Sequence, residues 1–87
     1  MRIEYSRRFL KDLKKCSPKI RLAFVSRLEL FLGDKFYPLL NNHALGGEYS
    51  GCRSINITGD YRAVFEEYEG GKTIYFITIG THSQLYG

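Results

Sequence analysis

Cysteine is scarce in this sequence, and the two present, Cys16 and Cys52, lie far apart and form no CxxC pair. Two cysteines are too few for a disulfide framework or a zinc cluster, so a reducing cytosol is expected. We expect both to be small buried side chains. The sequence also shows no signal peptide and no apolar run of membrane length, so we expect a cytoplasmic protein without a membrane partner.

Internal repeats, linkers and low-complexity segments are also missing from the chain. Its 87 residues, 44% of them hydrophobic, are enough for one small domain with a modest core. We therefore expect a single domain over residues 1–87.

The net charge of +4 is unevenly distributed. Residues 1–35 contain ten Lys or Arg and four Asp or Glu, whereas residues 36–87 contain three and five. A basic segment of this kind attracts phosphate backbones, but it is equally typical of a solvated helix surface. Charge alone leaves nucleic-acid binding open.

The N-terminal half has the hydrophobic pattern of one strand and two helices. Residues 2–5 alternate as a short strand, and Ser6 is predicted to cap a helix over residues 7–15. Ser17 and the proline after it favour the start of a second helix, over residues 18–32. A tight break between two helices predicts a helical hairpin.

Apolar residues recur at helical spacing in both helices, which predicts one buried stripe on each. Gly33 is expected to end the second helix. The predicted stripes are Phe9, Leu10, Leu13 and Cys16 in the first helix, and Ile20, Phe24, Leu28 and Phe31 in the second, with Ala23 and Val25 beside the second stripe.

The C-terminal half changes to a period of two, which predicts strands. We expect strands over residues 53–57, 61–66 and 73–79, joined by turns into an antiparallel meander. The helices must cover one face of this sheet. The predicted fold class is α+β, with an N-terminal strand and a two-helix hairpin packed on an antiparallel sheet. Residues 33–51 are either a loop or contain a short strand.

The second face of the sheet is expected to be open and polar. Alternation in the hairpin displays Asn56, Asp60 and Arg62 there, and His43 and His82 could reach it from the loop and the tail. Histidine suits proton transfer near neutral pH. On a basic domain, these residue types suit RNA cleavage, in which a base takes the 2′-hydroxyl proton, an acid protonates the leaving oxygen and a cation stabilises the charged transition state.

Other chemistries have weaker support. The ligand types permit a metal site, but no HxH or HExxH spacing is present, so we expect no metal. No nucleophile elbow indicates serine catalysis. The Gly46-Gly47 pair opens no helix that could bind phosphate. No cofactor is expected.

Four segments resemble the YafQ-like branch of the RelE/ParE toxin superfamily. They are His43-x-Leu45-x-Gly47, Gly51-x-Arg53, Asp60 after its strand, and Gly80-Thr81-His82-x-x-Leu85-Tyr86-Gly87. The order of predicted elements agrees along the whole chain. The resemblance implies a toxin of a type II toxin–antitoxin system, a ribosome-dependent mRNA endoribonuclease that inhibits translation. It also implies three partners: a cognate antitoxin, the ribosome and mRNA.

The resemblance also implies roles for individual residues. Asn56 stands where the YafQ-like toxins have a catalytic histidine, and asparagine cannot transfer protons near neutral pH. Alternation keeps Arg53 on the helix side unless a bulge turns it. Tyr86 stands where the family has a phenylalanine. The expected catalytic residues are His43, Asp60, Arg62, His82 and Tyr86, and the expected substrate-binding residues are Arg53 and Asn56.

Two other functions are compatible with the sequence. ParE members of the superfamily share the fold and resemble gyrase inhibitors without catalytic activity. His43 and His82 favour the nuclease, because a binding module has no need of them. A stand-alone RNA-binding domain is the third possibility.

Overall fold

The computed structural model describes residues 1–87 and contains one five-stranded sheet with three helices. The strands are β1 (Arg2–Tyr5), β2 (His43–Ala44), β3 (Arg53–Asn56), β4 (Tyr61–Tyr68) and β5 (Thr73–Thr81). The helices are α1 (Arg7–Lys15), α2 (Pro18–Gly33) and α3 (His82–Tyr86), and short 3-10 turns cover Pro38–Leu40, Gly47–Tyr49 and Glu69–Gly71. None of the helices combines the length and the apolar character needed to cross a membrane.

The sheet has the strand order β1-β5-β4-β3-β2. Strands β3, β4 and β5 form the antiparallel meander that alternation predicts, and β2 adds to β3 as a two-residue edge strand. Strand β1 lies parallel to β5, and the long connection between these two neighbours contains both helices of the hairpin and the other three strands. The α+β class is confirmed, and the irregular segment does contain a short strand.

Both long helices begin where their caps predict. Ser6 Oγ accepts a hydrogen bond from the Phe9 amide at 2.8 Å and donates to the Ile77 carbonyl at 2.6 Å. The same hydroxyl therefore starts α1 and attaches it to β5. At the other end of the hairpin, α2 continues through Gly33, and the extended Asp34 is its C-terminal cap. The prediction that Gly33 ends the helix was one residue short.

The main core lies between the helical hairpin and the sheet. Phe76 of β5 is fully buried at its centre, and its ring lies within 6.1 Å of five other aromatic rings. Fully burying a phenylalanine contributes about 1.5–3 kcal/mol, so this cluster is a major source of stability. The five partners are Tyr5, Phe9, Phe24, Phe31 and Phe65.

The prediction of burial is wrong for two residues, one in the first helical stripe and one beside the second. Leu10 and Val25 are each 52% exposed, whereas Phe9 and Phe24 are buried. Two helices on one face of a sheet form a single layer, so each helix buries only the side that meets the sheet. The apolar residues beyond that side stay on the outer surface.

The second face of the sheet is only partly open, which corrects the prediction. The last residues fold into α3, and its Leu85 is buried with Val64 and Cys52 in a small separate cluster. The close approach depends on Gly80, where a Cβ atom would lie 3.1 Å from Gln84 Oε1 and 3.3 Å from Leu85 Cδ2. The mostly polar C-terminal segment therefore covers part of this face.

Candidate active site

The register of the sheet brings polar side chains to the face that α3 covers in part. His43 of β2 lies directly opposite Ser54 of β3, and Asn56 of β3 lies directly opposite Arg62 of β4. Residues that oppose each other in an antiparallel ladder point to the same side. Alternation places Ser54 and Asn56 on the side of Val64, which contacts α3.

Helix α3 adds the C-terminal candidates to this face. Thr81 and Gln84 form a capping box at its start, with hydrogen bonds of 2.8 and 3.2 Å. The His82 amide donates to the Asp60 carbonyl at 3.0 Å, which attaches the helix to the β3–β4 loop. The rings of His82 and Tyr86, one helical turn apart, meet edge to face with centroids 4.8 Å apart.

Tyr86 connects α3 to strand β3. Its hydroxyl donates to Ser54 Oγ at 3.2 Å, and its ring meets Tyr49 edge to face at 6.1 Å. Because Ser54 is the partner of His43 across β2 and β3, a continuous line of neighbours joins the two histidines. The line is His43, Ser54, Tyr86 and His82.

A hydrogen bond from the His43 ring to the backbone shows which ring nitrogen is free to accept a proton. Nδ1 lies 2.7 Å from the carbonyl oxygen of Asn41, which can only accept. In the neutral ring Nδ1 therefore carries the proton, and Nε2 keeps a free lone pair. His43 is exposed, so this lone pair is available to a substrate.

Asn56 and Arg62 both retain unused hydrogen-bonding capacity. Asn56 Oδ1 is buried and has no partner in the protein, which is unusual for a buried polar atom. Arg62 uses one nitrogen, Nη1, to donate to the carbonyls of Thr58, Gly59 and Tyr61 at 3.1–3.2 Å. These bonds hold the guanidinium at the β3–β4 loop and leave its other N–H groups free.

Two of the predicted site residues have side chains that do not join this line of neighbours. The carboxylate of Asp60 lies on the exposed loop and makes no hydrogen bond, whereas its backbone carbonyl accepts a hydrogen bond from the His82 amide. Arg53 stays on the helix side of the sheet, where its Nε donates to Asn42 Oδ1 at 2.7 Å and its guanidinium lies 5.5 Å from the Phe36 ring. The bulge that could have turned Arg53 lies between Val64 and Phe65 instead.

Ser54 and Tyr49 also belong to this site, although the sequence pattern does not predict them. Alternation places Ser54 on the correct face, but nothing in the sequence indicates that it is fully buried beneath a tyrosine hydroxyl. Tyr49 lies in the irregular segment, where no periodicity predicts its position.

The possible metal ligands are dispersed, and the two thiols are not activated. No three His, Cys, Asp or Glu side chains come together as a possible metal site. Burial raises the pKa of both the Cys16 and the Cys52 thiol, with further contributions from Asp12 and Glu66 respectively. A raised pKa disfavours the thiolate, which is the form that nucleophilic catalysis needs.

A family model described as the ParE toxin of the type II toxin–antitoxin system parDE matches residues 3–86. The chain belongs to the ParE toxin family. The resemblance to the RelE/ParE superfamily that the four motifs indicate is thereby confirmed, and so is the prediction of a type II toxin.

Solved structures of several toxins share the fold of this ParE-family toxin. YafQ from E. coli strain BL21(DE3) is 23% identical over 100% of both chains, with a TM-score of 0.82. YafQ in the E. coli DinJ–YafQ complex is 24% identical over 98% of this chain and 96% of the other, with a TM-score of 0.78. The YoeB/ParE toxin from Agrobacterium tumefaciens is 18% identical over 94% and 99%, with a TM-score of 0.77. No curated protein matches the sequence significantly.

Proposed function

We propose that this toxin is a ribosome-dependent mRNA endoribonuclease. The observation that supports it is the line of neighbours from His43 through Ser54 and Tyr86 to His82 on one face of the sheet. Two groups able to transfer protons near neutral pH, beside a guanidinium with free N–H groups, fit the needs of phosphodiester cleavage.

The proposed reaction is an in-line transfer within the RNA. A histidine takes the proton of the 2′-hydroxyl, whose oxygen attacks the phosphorus while the bond to the 5′-oxygen breaks. A second group protonates that leaving oxygen, so the products are a 2′,3′-cyclic phosphate and a 5′-hydroxyl. The base is one of the two histidines, and His43 Nε2 is available for this role. His82, which is held by the β3–β4 loop and by Tyr86, is the other candidate for the base.

The remaining candidates bind and stabilise the RNA. Arg62 would donate its free N–H groups to the phosphate as charge develops. The side-chain amide of the half-buried Asn56, which lies opposite Arg62, would donate a hydrogen bond to the RNA. The exposed ring of Tyr86 would stack on a base. Asp60 would support His82 through its backbone carbonyl. Arg53, on the other face, takes no part in this mechanism.

The ribosome would supply what this small site lacks. Both histidines are exposed, and neither of them lines the cavity between Arg8 and Leu85 or the cavity between Ala44 and Glu67, so the site has little to hold a flexible RNA in the orientation for attack. Exposed basic side chains on α1 would bind ribosomal RNA through its phosphates. These are Arg7, Arg8, Lys11, Lys14 and Lys15.

An antitoxin is the proposed second partner, as in the DinJ–YafQ complex. Leu22, Val25 and Leu32 form an exposed apolar stripe on the outer side of α2, and Leu22 is 71% exposed. An acidic amphipathic segment would bury this stripe and pair with the basic side chains of α1. Binding should weaken as salt is raised, because exposed charges are screened. Leu22→Ser should weaken it further, whereas Tyr68→Ser, an exposed aromatic on β4, should not.

Cleavage on programmed ribosomes tests the proposal. Purified toxin is added to ribosomes stalled on a defined mRNA, and new 5′ ends are mapped and their chemistry identified. We expect cuts at one position relative to the ribosome, with 5′-hydroxyl ends, and little cutting of the same RNA without ribosomes. Efficient cutting of free RNA would refute ribosome dependence, and an uncut mRNA would refute the nuclease.

Gyrase inhibition is the second candidate, because the matching family model is named for ParE. A supercoiling assay with purified gyrase provides the parallel test. Inhibition of gyrase together with intact mRNA would favour this alternative. It would leave the two histidines without a catalytic role.

A further inference from the structure

The hydrogen bond between Tyr86 and Ser54 joins an exposed side chain to a fully buried one. Tyr86 is 36% exposed, whereas Ser54 is 0% exposed and lies between His43 and Val64 in the sheet. The Tyr86 hydroxyl is the only side-chain partner of Ser54 Oγ, at 3.2 Å. Buried hydroxyl groups are normally satisfied, so this bond restricts where the tyrosine can lie.

Helix α3 needs such restraints because it is very short. Its five residues form little more than one turn, and a helix of this length is unstable without tertiary contacts. Leu85 anchors one side of the helix in the small apolar cluster. Ser54 is the hydrogen-bond partner that holds Tyr86, the next residue of the helix, against the sheet.

We propose that Ser54 is a positioning residue that sets the orientation of the His82 imidazole through Tyr86. The buried hydroxyl fixes the tyrosine ring between Tyr49 and His82, and the edge-to-face contact at 4.8 Å then limits the orientations of the imidazole. Its effect on cleavage rests on the proposed nuclease function. Its effect on the geometry of His82 does not.

The first test is spectroscopic and needs no substrate. The imidazole proton signals of His82 in the free toxin, assigned with His82→Ala, report the ring current of Tyr86. Ser54→Ala and Tyr86→Phe should both shift these signals, since each removes the hydrogen bond. Thr73→Val is the matched control, because it removes a buried hydroxyl at the far end of β5. It should leave the signals unchanged.

The second test is a double-mutant cycle on single-turnover cleavage by programmed ribosomes. Ser54→Ala should lower the rate by about tenfold, because small displacements of a catalytic group are costly. It should leave the toxin concentration for half-maximal rate unchanged. In the Tyr86→Phe background it should have no further effect, since the hydroxyl through which Ser54 acts is already gone. Thr73→Val should cleave at the parent rate.

Two results would overturn the proposal. One is a His82 signal that Ser54→Ala does not move. The other is a Ser54→Ala loss of equal size with tyrosine or phenylalanine at position 86, which would show an effect on packing alone. Tyr86→Phe removes the same bond from the exposed end, so the test survives if Ser54→Ala folds poorly. If the parent toxin cuts no mRNA, the nuclease proposal fails and the His82 signal alone decides the role of Ser54.

Discussion

The two faces of the sheet are built from different kinds of side chain. The face toward α1 and α2 buries a continuous aromatic cluster around Phe76. The face toward α3 buries only Cys52, Val64 and Leu85 as its apolar cluster. Beside that small cluster lie the histidines and the polar residues of the candidate site.

The difference separates stability from chemistry. A large apolar cluster provides the free energy that holds the domain together, and it leaves no room for charged groups. The smaller cluster only has to hold one short helix, so polar atoms such as Asn56 Oδ1 can remain unpartnered beside it. Polar groups in functional sites are commonly maintained at a cost in the free energy of unfolding. Substitutions on the two faces should therefore affect different measurements.

Replacing His82 with alanine should give the largest effect. Removing a proton-transfer group typically lowers the rate by roughly a hundred- to ten-thousandfold. The free energy of unfolding should barely change, because the side chain is exposed. Single-turnover cleavage and urea unfolding measure the two quantities. Ser83→Ala, an exposed neighbour on α3, is the control and should match the parent in both. Cleavage by His82→Ala at the parent rate would instead favour a mechanism centred on Arg62.

Replacing Phe76 or Leu85 with alanine compares the two clusters directly. Phe76→Ala should lower the free energy of unfolding by about 3–5 kcal/mol, and Leu85→Ala by only about 2 kcal/mol because its cluster is small. The urea midpoint at constant slope measures both. Leu85→Ala should also reduce cleavage, since α3 loses its anchor. Equal losses of stability would contradict the separation between the faces.

Substitution of Asn56 should have a smaller effect on activity. Asn56→Ala removes one hydrogen bond to RNA, worth about 0.5–1.5 kcal/mol, so the cleavage rate should fall by about tenfold or less. Asn56→His should raise the rate, because it restores a group able to transfer protons near neutral pH. A loss on Asn56→Ala as large as that of His82→Ala would refute the proposed division of roles.

Tyr5 should give the smallest effect, and only at high pH. Burial raises the pKa of Tyr5, so the folded state favours its neutral phenol. Its contribution to stability is fully present below the unfolded pKa of about 10 and is lost as pH rises through the folded pKa. As the pH rises from about 9 to about 11, the free energy of unfolding of Tyr5→Phe should therefore fall less than that of the parent, as measured by urea unfolding. Parallel curves for the two proteins would contradict this.

Much of the fold could be predicted from local patterns. The caps Ser6 and Ser17, the helical spacing and the alternation after Cys52 indicate the three antiparallel strands and the two long helices. Leu10 was misplaced because a periodic pattern shows which residues share a side of a helix but not how wide the covering layer is. The short helix at the C-terminus was missed because a five-residue segment gives too weak a periodic signal.

The amino-acid sequence by itself determined the α+β class, the basic N-terminal segment and the residue types of the candidate site. Only the tertiary structure decided which of these residues meet. Cross-strand register places His43 opposite Ser54, and packing of Leu85 on the sheet brings Tyr86 onto the same serine. The physical reason is that cross-strand and helix-to-sheet contacts join residues far apart in the chain, so local propensity contains little information about them.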